Sequence, residues 1–116
     1  MRTLTARSLV CLDATRQSHL ISLAEINLIE AHQKQTRVYF KDGSVRAPYT
    51  LQYLQARLPP HLFFRVHRTQ IVNVAFVQSA APLPNGTLQL ILREYTAGPV
   101  VLSRRRAALF IQQYSL

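Results

Sequence analysis

The sequence has few glycines, cysteines and acidic residues, and each shortage excludes a class of protein. Only three glycines occur in 116 residues, and neither a Walker loop nor a G-x-G-x-x-G or G-x-S-x-G run is present. Cys11 is the single cysteine, which excludes an internal disulfide and a cysteine-based zinc site and fits a reducing compartment. Five acidic residues do not readily supply paired catalytic carboxylates. The sequence therefore predicts a protein that is not an enzyme.

Long apolar runs and metal-ligand spacings are also missing. No apolar stretch approaches the roughly 18 residues of a membrane span, and the N-terminus lacks a secretory signal. The four histidines show neither H-x3-H nor HExxH spacing. We therefore expect a cytoplasmic protein that needs no metal or other cofactor, contacts no membrane and has no small-molecule substrate.

What the sequence does contain is positive charge. The 14 basic residues outnumber the five acidic ones, which gives a net charge of +9, and 12 of the 14 are arginine. The planar fork of arginine suits bidentate contacts to phosphate and to guanine. One interpretation is an ordinary basic surface. The other, which we favour, is a polyanionic partner, most simply nucleic acid.

The chain reads as one domain, residues 1–116, with a dominant period of two that indicates short strands. In Thr36–Lys41, Val38 and Phe40 share one face, and Leu88, Leu90 and Leu92 share one face of a later run. Asp42-Gly43 and Pro84-Asn85-Gly86 predict hairpin turns. The expected strands are Thr3–Leu12, one or two among Ile21, Leu23, Ile26, Leu28 and Ile29, then Thr36–Lys41, Ser44–Ala47, Phe76–Ala80 and Thr87–Arg93.

Two segments have helical spacing of apolar residues. Thr50–Leu58 starts at a candidate N-cap and stops at Pro59-Pro60. Ser103–Gln113 has Ser103 as its candidate N-cap, and its apolar stripe consists of Ala107, Phe110 and Ile111. The fold class expected from the residues is a mainly β domain with two short helices.

Arg104, Arg105 and Arg106 occupy the first turn of the second helix, where the helix dipole disfavours cations. A solvated arginine cluster is one interpretation. The other is a site for an external polyanion, because free backbone N–H groups and three guanidinium groups meet there.

Two further blocks of hydrogen-bond donors interrupt apolar strands. His67–Gln70 separates Leu62–Val66 from Ile71–Val77 without the usual turn residues, and His32–Arg37 interrupts two strands in the same manner. Such donors suit phosphate oxygens and base edges, although His67 is equally suited to pinning the turn. A rival use is the stacking of single-stranded nucleic acid on tyrosines. The candidates for that use are Tyr39, Tyr49 and Tyr53.

The order of these segments resembles the LytTR-type DNA-binding domain of bacterial transcription and response regulators, from about residue 21 to 110. The motifs that carry the resemblance are Leu23–Ala31 (LAEINLIEA), Lys41-Asp42-Gly43, Thr50–Pro59 (TLQYLQARLP), Phe63–Asn73 (FFRVHRTQIVN) and Val100–Arg105 (VVLSRR). Glu25 and Thr69 replace the family's usual Asp and Ser, and the Arg93–Pro99 loop departs from its usual short turn.

The resemblance implies about ten short strands in stacked small sheets with two short helices. It also implies sequence-specific binding of duplex DNA, with loops inserted into two successive major grooves. The base contacts it implies come from Lys34, Thr36, Arg68 and Arg105. The DNA-backbone contacts it implies come from Arg37, His67, Thr69, Gln70, Ser103 and Arg104.

Two questions about partners stay open at this point. The alternative function is an RNA-contacting or protein-interaction β-domain without DNA specificity. On the favoured interpretation, we expect a monomer in solution that pairs on double-stranded DNA with two repeated half-sites, since one small domain buries too little DNA surface alone. A complete small regulator and the DNA-binding part of a longer one are both compatible with the sequence.

The charge composition predicts salt-sensitive binding to duplex DNA. If five or six of the 14 cations meet phosphates, log K falls against log[salt] with a slope near −5, because each contact releases condensed counterions. Titrations at four or five salt concentrations measure this slope. A slope near zero would contradict the interpretation that the partner is a polyanion.

Overall fold

A computed structural model describes residues 8–41 and 43–114 of the chain. The strands are β1 (Ser8–Leu12), β2 (Ser18–Ser22), β3 (Ile26–His32), β4 (Gln35–Phe40), β5 (Gly43–Ala47), β6 (Phe63–His67), β7 (Gln70–Asn73), β8 (Val77–Pro82), β9 (Leu88–Leu92) and β10 (Val100–Leu102). The α-helices are α1 (Leu51–Arg57) and α2 (Arg104–Tyr114), and short 3-10 helices span Leu23–Glu25, Val74–Phe76 and Pro84–Gly86.

The strands form two antiparallel sheets. The larger has seven strands in the order β2-β1-β5-β4-β3-β7-β6, and the smaller has the order β10-β9-β8. The expectation of about ten strands in stacked sheets with two short helices is confirmed. Over the described ranges, neither helix is long and apolar enough to cross a membrane.

Buried side chains form two clusters, one on each face of the larger sheet. One cluster joins that sheet to Leu51 and Leu54 of α1, and the other joins it to the smaller sheet and to α2. Strand β3 contributes to both, because Ile29 belongs to the first cluster and Leu28 to the second, each with no exposed surface. The two faces of the larger sheet are therefore both covered along β3.

A bulge at Asn27 makes this double burial possible. Ile26 pairs with Phe40 and Leu28 pairs with Tyr39, so Asn27 is an extra residue in β3. Ile26 and Leu28 consequently face opposite clusters although they are two positions apart. The Asn27 side chain is fully buried and donates from Nδ2 to the carbonyl of Glu94 at 3.1 Å.

Both predicted N-caps are confirmed. The hydroxyl of Thr50 accepts a hydrogen bond from the N–H of Tyr53 at 3.0 Å, and the hydroxyl of Ser103 accepts one from the N–H of Arg106 at 3.3 Å. Ala107 and Phe110 are buried as the helical stripe predicts. Ile111 is 49% exposed, so the prediction that it belongs to the buried stripe was wrong. The buried face of α2 is narrower than the apolar residues of the helix suggest.

The strand predictions need two local corrections. The two residues between β4 and β5 are Lys41 and Asp42 rather than Asp42 and Gly43, because Phe40 pairs with Gly43. Asp42 itself lies outside the described residues, as do the first five positions of the predicted strand Thr3–Leu12. The run 71–77 is not one strand, because a 3-10 turn over Val74–Phe76 divides it.

Asn73 explains where that division falls. Its side chain is fully buried, donates from Nδ2 to the carbonyl of Ile26 at 2.8 Å, and accepts the N–H of Ala75 at 2.9 Å. It thereby ends β7, caps the 3-10 turn and ties both to the start of β3. The asparagine of the FFRVHRTQIVN motif is thus a structural residue.

We predict that Asn73→Ala lowers the free energy of unfolding by about 2–3 kcal/mol, because buried backbone groups lose their partners. Urea denaturation measures the change. Gln52→Ala, an exposed position on α1, is the matched control and should change stability by less than about 0.5 kcal/mol. Equal, small effects of the two substitutions would contradict this role for Asn73.

Candidate nucleic-acid interface

Two hairpin turns lie side by side at one end of the larger sheet. Strand β3 lies between β4 and β7, so the β3–β4 turn (33–34) and the β6–β7 turn (68–69) are separated by two strand spacings, about 10 Å. The N–H of Ala31 donates to the carbonyl of Thr69 at 2.9 Å and links the two hairpins directly. Two of the three predicted DNA-contacting segments are therefore neighbours.

The β3–β4 turn has an unusual backbone for its residues. Gln33 and Lys34 have φ values of 51° and 65°, as a tight hairpin with both central residues left-handed requires. Left-handed residues other than glycine cost about 1 kcal/mol or more each, a strain typical of functional sites. The side chain of Lys34 is exposed at the tip.

The structure corrects the prediction for Thr36. Its side chain is only 7% exposed, because the alternation that buries Val38 in β4 turns Thr36 towards the same face. This burial argues against a base contact. Arg37, on the opposite face, donates from Nη1 to the hydroxyl of Ser44 at 3.2 Å and stays partly exposed.

His67 pins the β6–β7 turn while its ring stays exposed. Its Nδ1 accepts the N–H of Thr69 at 3.3 Å and lies 2.9 Å from the hydroxyl of Thr69. Because a backbone N–H can only donate, Nδ1 is the acceptor, and the neutral ring carries its proton on Nε2. The two roles suggested for His67 are therefore compatible: one ring nitrogen holds the turn, and the other remains a donor.

Arg65 was missed as a functional candidate, although it lies in the same motif. Its Nε donates to the carbonyl of His67 at 3.0 Å, and its Nη2 donates to the carbonyl of Arg68 at 2.5 Å. Its Nη1 donates to Oε1 of Gln55 on α1 at 2.5 Å. One guanidinium group thus ties the turn to a helix on the scaffold. No spacing rule reveals this, because two of the acceptors are backbone carbonyls.

The first turn of α2 approaches the same region through Arg65. Burial lowers the pKa of Arg65, and the nearby positive charge of Arg106 lowers it further. Arg106 is partly buried, whereas Arg104 and Arg105 are exposed. The three arginines therefore do not act as one cluster: Arg106 lines a recess with Arg65 and Gln55, and the other two remain available to a partner.

Arg104 also rests on the turn between β8 and β9. A Cβ added to Gly86 would lie 3.2 Å from Cγ and 3.3 Å from Cδ of Arg104, and Gly86 has a φ of 85°. Glycine at this position therefore permits both the turn and the close approach of the arginine stem.

Gln70 is held by a carboxylate. Its Nε2 donates to Oε2 of Glu30 at 3.0 Å, and the hydroxyl of Tyr39 donates to Oε1 of Glu30 at 3.3 Å. Burial raises the pKa of Tyr39, and the charge of Glu30 raises it further. One of the two Nε2 hydrogens of Gln70 is engaged by Glu30, and the other remains available to donate to a DNA phosphate.

The predicted site residues thus form a connected series, apart from Thr36. Arg106 in the first turn of α2 lines one recess with Arg65, Arg65 bonds the β6–β7 turn, and the N–H of Ala31 links that turn to the β3–β4 hairpin. The exposed or partly exposed side chains of the series are Lys34, Arg37, His67, Arg68, Thr69, Gln70, Ser103, Arg104 and Arg105.

The family model of the LytTr DNA-binding domain matches residues 16–115. The chain belongs to this family. It is therefore a LytTR DNA-binding domain of the kind found in bacterial transcriptional regulators, which agrees with the prediction that it is not an enzyme.

Two regulatory proteins contain a segment that is similar in sequence to this LytTR domain. The sensory transduction protein LytT of Enterococcus faecalis is 29% identical over 82 residues, which are 71% of this chain and 34% of LytT. The transcriptional regulatory protein YpdB of Escherichia coli is 36% identical over 70 residues, 60% of this chain and 29% of YpdB. The chain thus spans about a third of the length of these relatives.

A solved LytTr DNA-binding domain from Bacillus cereus has the same fold. It superposes with a TM-score of 0.83 over 95% of this chain and 98% of the other, at 24% sequence identity.

We predict that Arg65→Ala weakens binding of this LytTR domain to cognate DNA by about 1–2 kcal/mol more than binding to random DNA. The variant frees the carbonyls of the β6–β7 turn, so Arg68 is no longer presented in one orientation. Arg65→Lys keeps the charge but cannot reach all three acceptors and should lose almost as much discrimination. Fluorescence anisotropy with both duplexes measures the difference.

Two checks accompany this pair of variants. Thermal unfolding separates misfolding from loss of orientation, and Gln52→Ala on α1 should leave both affinities unchanged. Equal weakening on cognate and random DNA would reduce Arg65 to a phosphate contact.

Proposed function

We propose that this domain binds duplex DNA sequence-specifically, by inserting its turns into two successive major grooves, as the DNA-binding part of a bacterial transcription regulator. Lys34, Arg68 and Arg105 contact bases in this proposal. The contacts to the DNA backbone come from Arg37, His67, Thr69, Gln70, Ser103 and Arg104.

The observation that carries the proposal is the proximity of three donor-bearing segments. The Ala31–Thr69 hydrogen bond joins the β3–β4 and β6–β7 turns, and Arg65 holds the β6–β7 turn and lines one recess with Arg106 of α2. The β3–β4 and β6–β7 turns stand about 10 Å apart, within the roughly 12 Å width of one major groove. The first turn of α2 belongs to a separate element, and its Arg106 lines a recess with Arg65. We assign this turn to the neighbouring groove.

The side chains offered at these positions suit the two kinds of contact. Arg68 and Arg105 are exposed arginines whose forks match O6 and N7 of guanine. The backbone of Arg68 is held by Arg65, so that its side chain extends from a fixed position. Hydroxyl, imidazole and N-terminal N–H groups beside them suit phosphate oxygens and set the register.

The structure does not favour single-stranded nucleic acid stacked on tyrosines. Tyr49 and Tyr53 stack on each other at 5.3 Å, and the guanidinium of Arg57 lies 3.8 Å from the centroid of Tyr53. Tyr39 packs edge-to-face against Tyr95. These rings are already engaged, so stacking a base on them requires the loss of an existing contact.

We predict that Arg68→Ala and Arg105→Ala each cost about 1–3 kcal/mol on a cognate site and much less on random DNA, because each removes a bidentate guanine contact. Arg57→Ala removes the same charge from α1 and should weaken both duplexes little and equally. Competition binding at fixed salt provides the comparison. Equal losses on both duplexes would demote Arg68 and Arg105 to phosphate contacts.

We also predict a monomer in solution that pairs on two repeated half-sites lying on one face of the DNA. Single modules of this size bury about 600–1,000 Å² on DNA, which favours occupancy by two domains. Inserting about 5 bp between the half-sites should abolish cooperativity, because it rotates one domain to the opposite face. Sedimentation and gel-shift titrations test this. A stable dimer without DNA, or cooperativity that survives the insertion, would contradict it.

A further inference from the structure

Three arginines outside the turns described above line one recess on the larger sheet. Arg16 lies in the β1–β2 turn, Arg37 on β4 and Arg46 on β5. The recess has a volume of about 440 Å³ and also includes Gln35, which follows the β3–β4 turn directly. Positive charge is thus concentrated beside one of the proposed DNA-reading turns.

Two of these charges oppose each other in the sheet. Arg37 and Arg46 are directly paired across β4 and β5, an arrangement in which like charges destabilise the sheet. Within residues 8–41 and 43–114, the only close side-chain contact between an acidic and a basic residue joins Asp13 and His19. On the neighbouring strand β3, Glu30 lies opposite Arg37, but the carboxylate of Glu30 accepts hydrogen bonds from Tyr39 and Gln70. The repulsion between the arginines is therefore not offset by an ion pair.

The turn that carries Arg16 is firmly built. The carboxylate of Asp13 accepts hydrogen bonds from the N–H groups of Thr15 at 2.8 Å and Gln17 at 3.0 Å, and lies 2.7 Å from Nε2 of His19. Bonds from the Thr15 side chain and from His19 hold the pKa of Asp13 well below its ordinary value. Asp13 therefore stays charged but is engaged within its own turn, and Arg16 extends beside it with a φ of 67°.

The strand order places this recess at the DNA-facing end of the sheet. Leu12 pairs with Arg46 and Thr36 pairs with Ala47, so β1 meets β5 close to the β3–β4 and β6–β7 turns. The β1–β2 turn then runs back from that end, and Arg16 lines a second recess together with Lys34 and Gln35. The β1–β2 turn is three strand spacings from the β3–β4 turn, about 14 Å. That distance corresponds to about four base pairs along DNA.

We propose that Arg16 and Arg46 join Arg37 in binding the phosphate backbone of DNA, and that they contact the DNA that flanks the base pairs read by the turns. The inference rests on the proposed function and extends it to a fourth contact region, which reads no sequence. An anionic phosphate bound in the recess offsets the repulsion between Arg37 and Arg46. This repulsion in the free domain therefore favours binding of the phosphate.

The test compares duplexes of different length. One carries the half-site with about eight flanking base pairs on each side, and two others are trimmed to two base pairs on one side or the other. On the long duplex, Arg16→Ala and Arg46→Ala should each weaken binding about five- to tenfold at 0.1 M salt and reduce the salt slope by about 0.9, whatever the flanking sequence. Trimming the correct side should weaken the wild type similarly and abolish the effect of both substitutions.

Arg57→Ala is the matched control, because it removes one charge without touching the recess and should show no dependence on duplex length. If the wild type binds cognate DNA but neither arginine variant loses affinity, the recess proposal is wrong and the proposed function stands. Losses that persist on both trimmed duplexes, or a recess that takes inorganic phosphate but shows no length dependence on DNA, would also overturn it. If the wild type fails to discriminate cognate from random DNA, both proposals fall together.

Discussion

Burial of β3 on both faces is the constraint on which the rest of the molecule depends. Leu28 and Ile29 are fully buried in different clusters, and the bulge at Asn27 sets which cluster each one enters. A slip of one residue would exchange the two faces and expose both cores. Because β4 and β7 are the neighbours of β3, its register also fixes the relative height of the β3–β4 and β6–β7 turns. The core thus determines the geometry of the candidate interface.

In the candidate interface, hydrogen bonds from neighbouring side chains fix the turns and the side chains that are proposed to contact DNA. Arg65 fixes the β6–β7 turn, Asp13 fixes the β1–β2 turn, and Glu30 holds Gln70. Several cations nevertheless sit where the free domain disfavours them: Arg104 and Arg105 at a helix N-terminus, and Arg37 opposite Arg46. A polyanionic partner relieves each of these repulsions, so the unfavourable charges of the free protein become contributions to binding.

The sequence predicted the elements better than their contacts. Period-two alternation predicted β4, β5, β8 and β9, and capping residues predicted both helices, because these signals are local. The number of about ten strands came from the family resemblance. The alternation that predicts a buried Val38 also predicts a buried Thr36. The position of Thr36 in a donor-rich block nevertheless suggested that its side chain is exposed, and the structure buries it. The bonds of Arg65 join residues that spacing rules do not connect, and the recess joins Arg16 to Arg46 across thirty positions of sequence. Such contacts follow from strand order, which local patterns do not determine.

The most direct test of major-groove insertion is methylation interference at guanine N7 on a cognate duplex, since N7 lies in the major groove. The account predicts interference in two groups of guanines about one helical turn apart, with Arg68→Ala erasing one group and Arg105→Ala the other. Interference confined to adenine N3 in the minor groove, or a pattern that neither substitution changes, would contradict it.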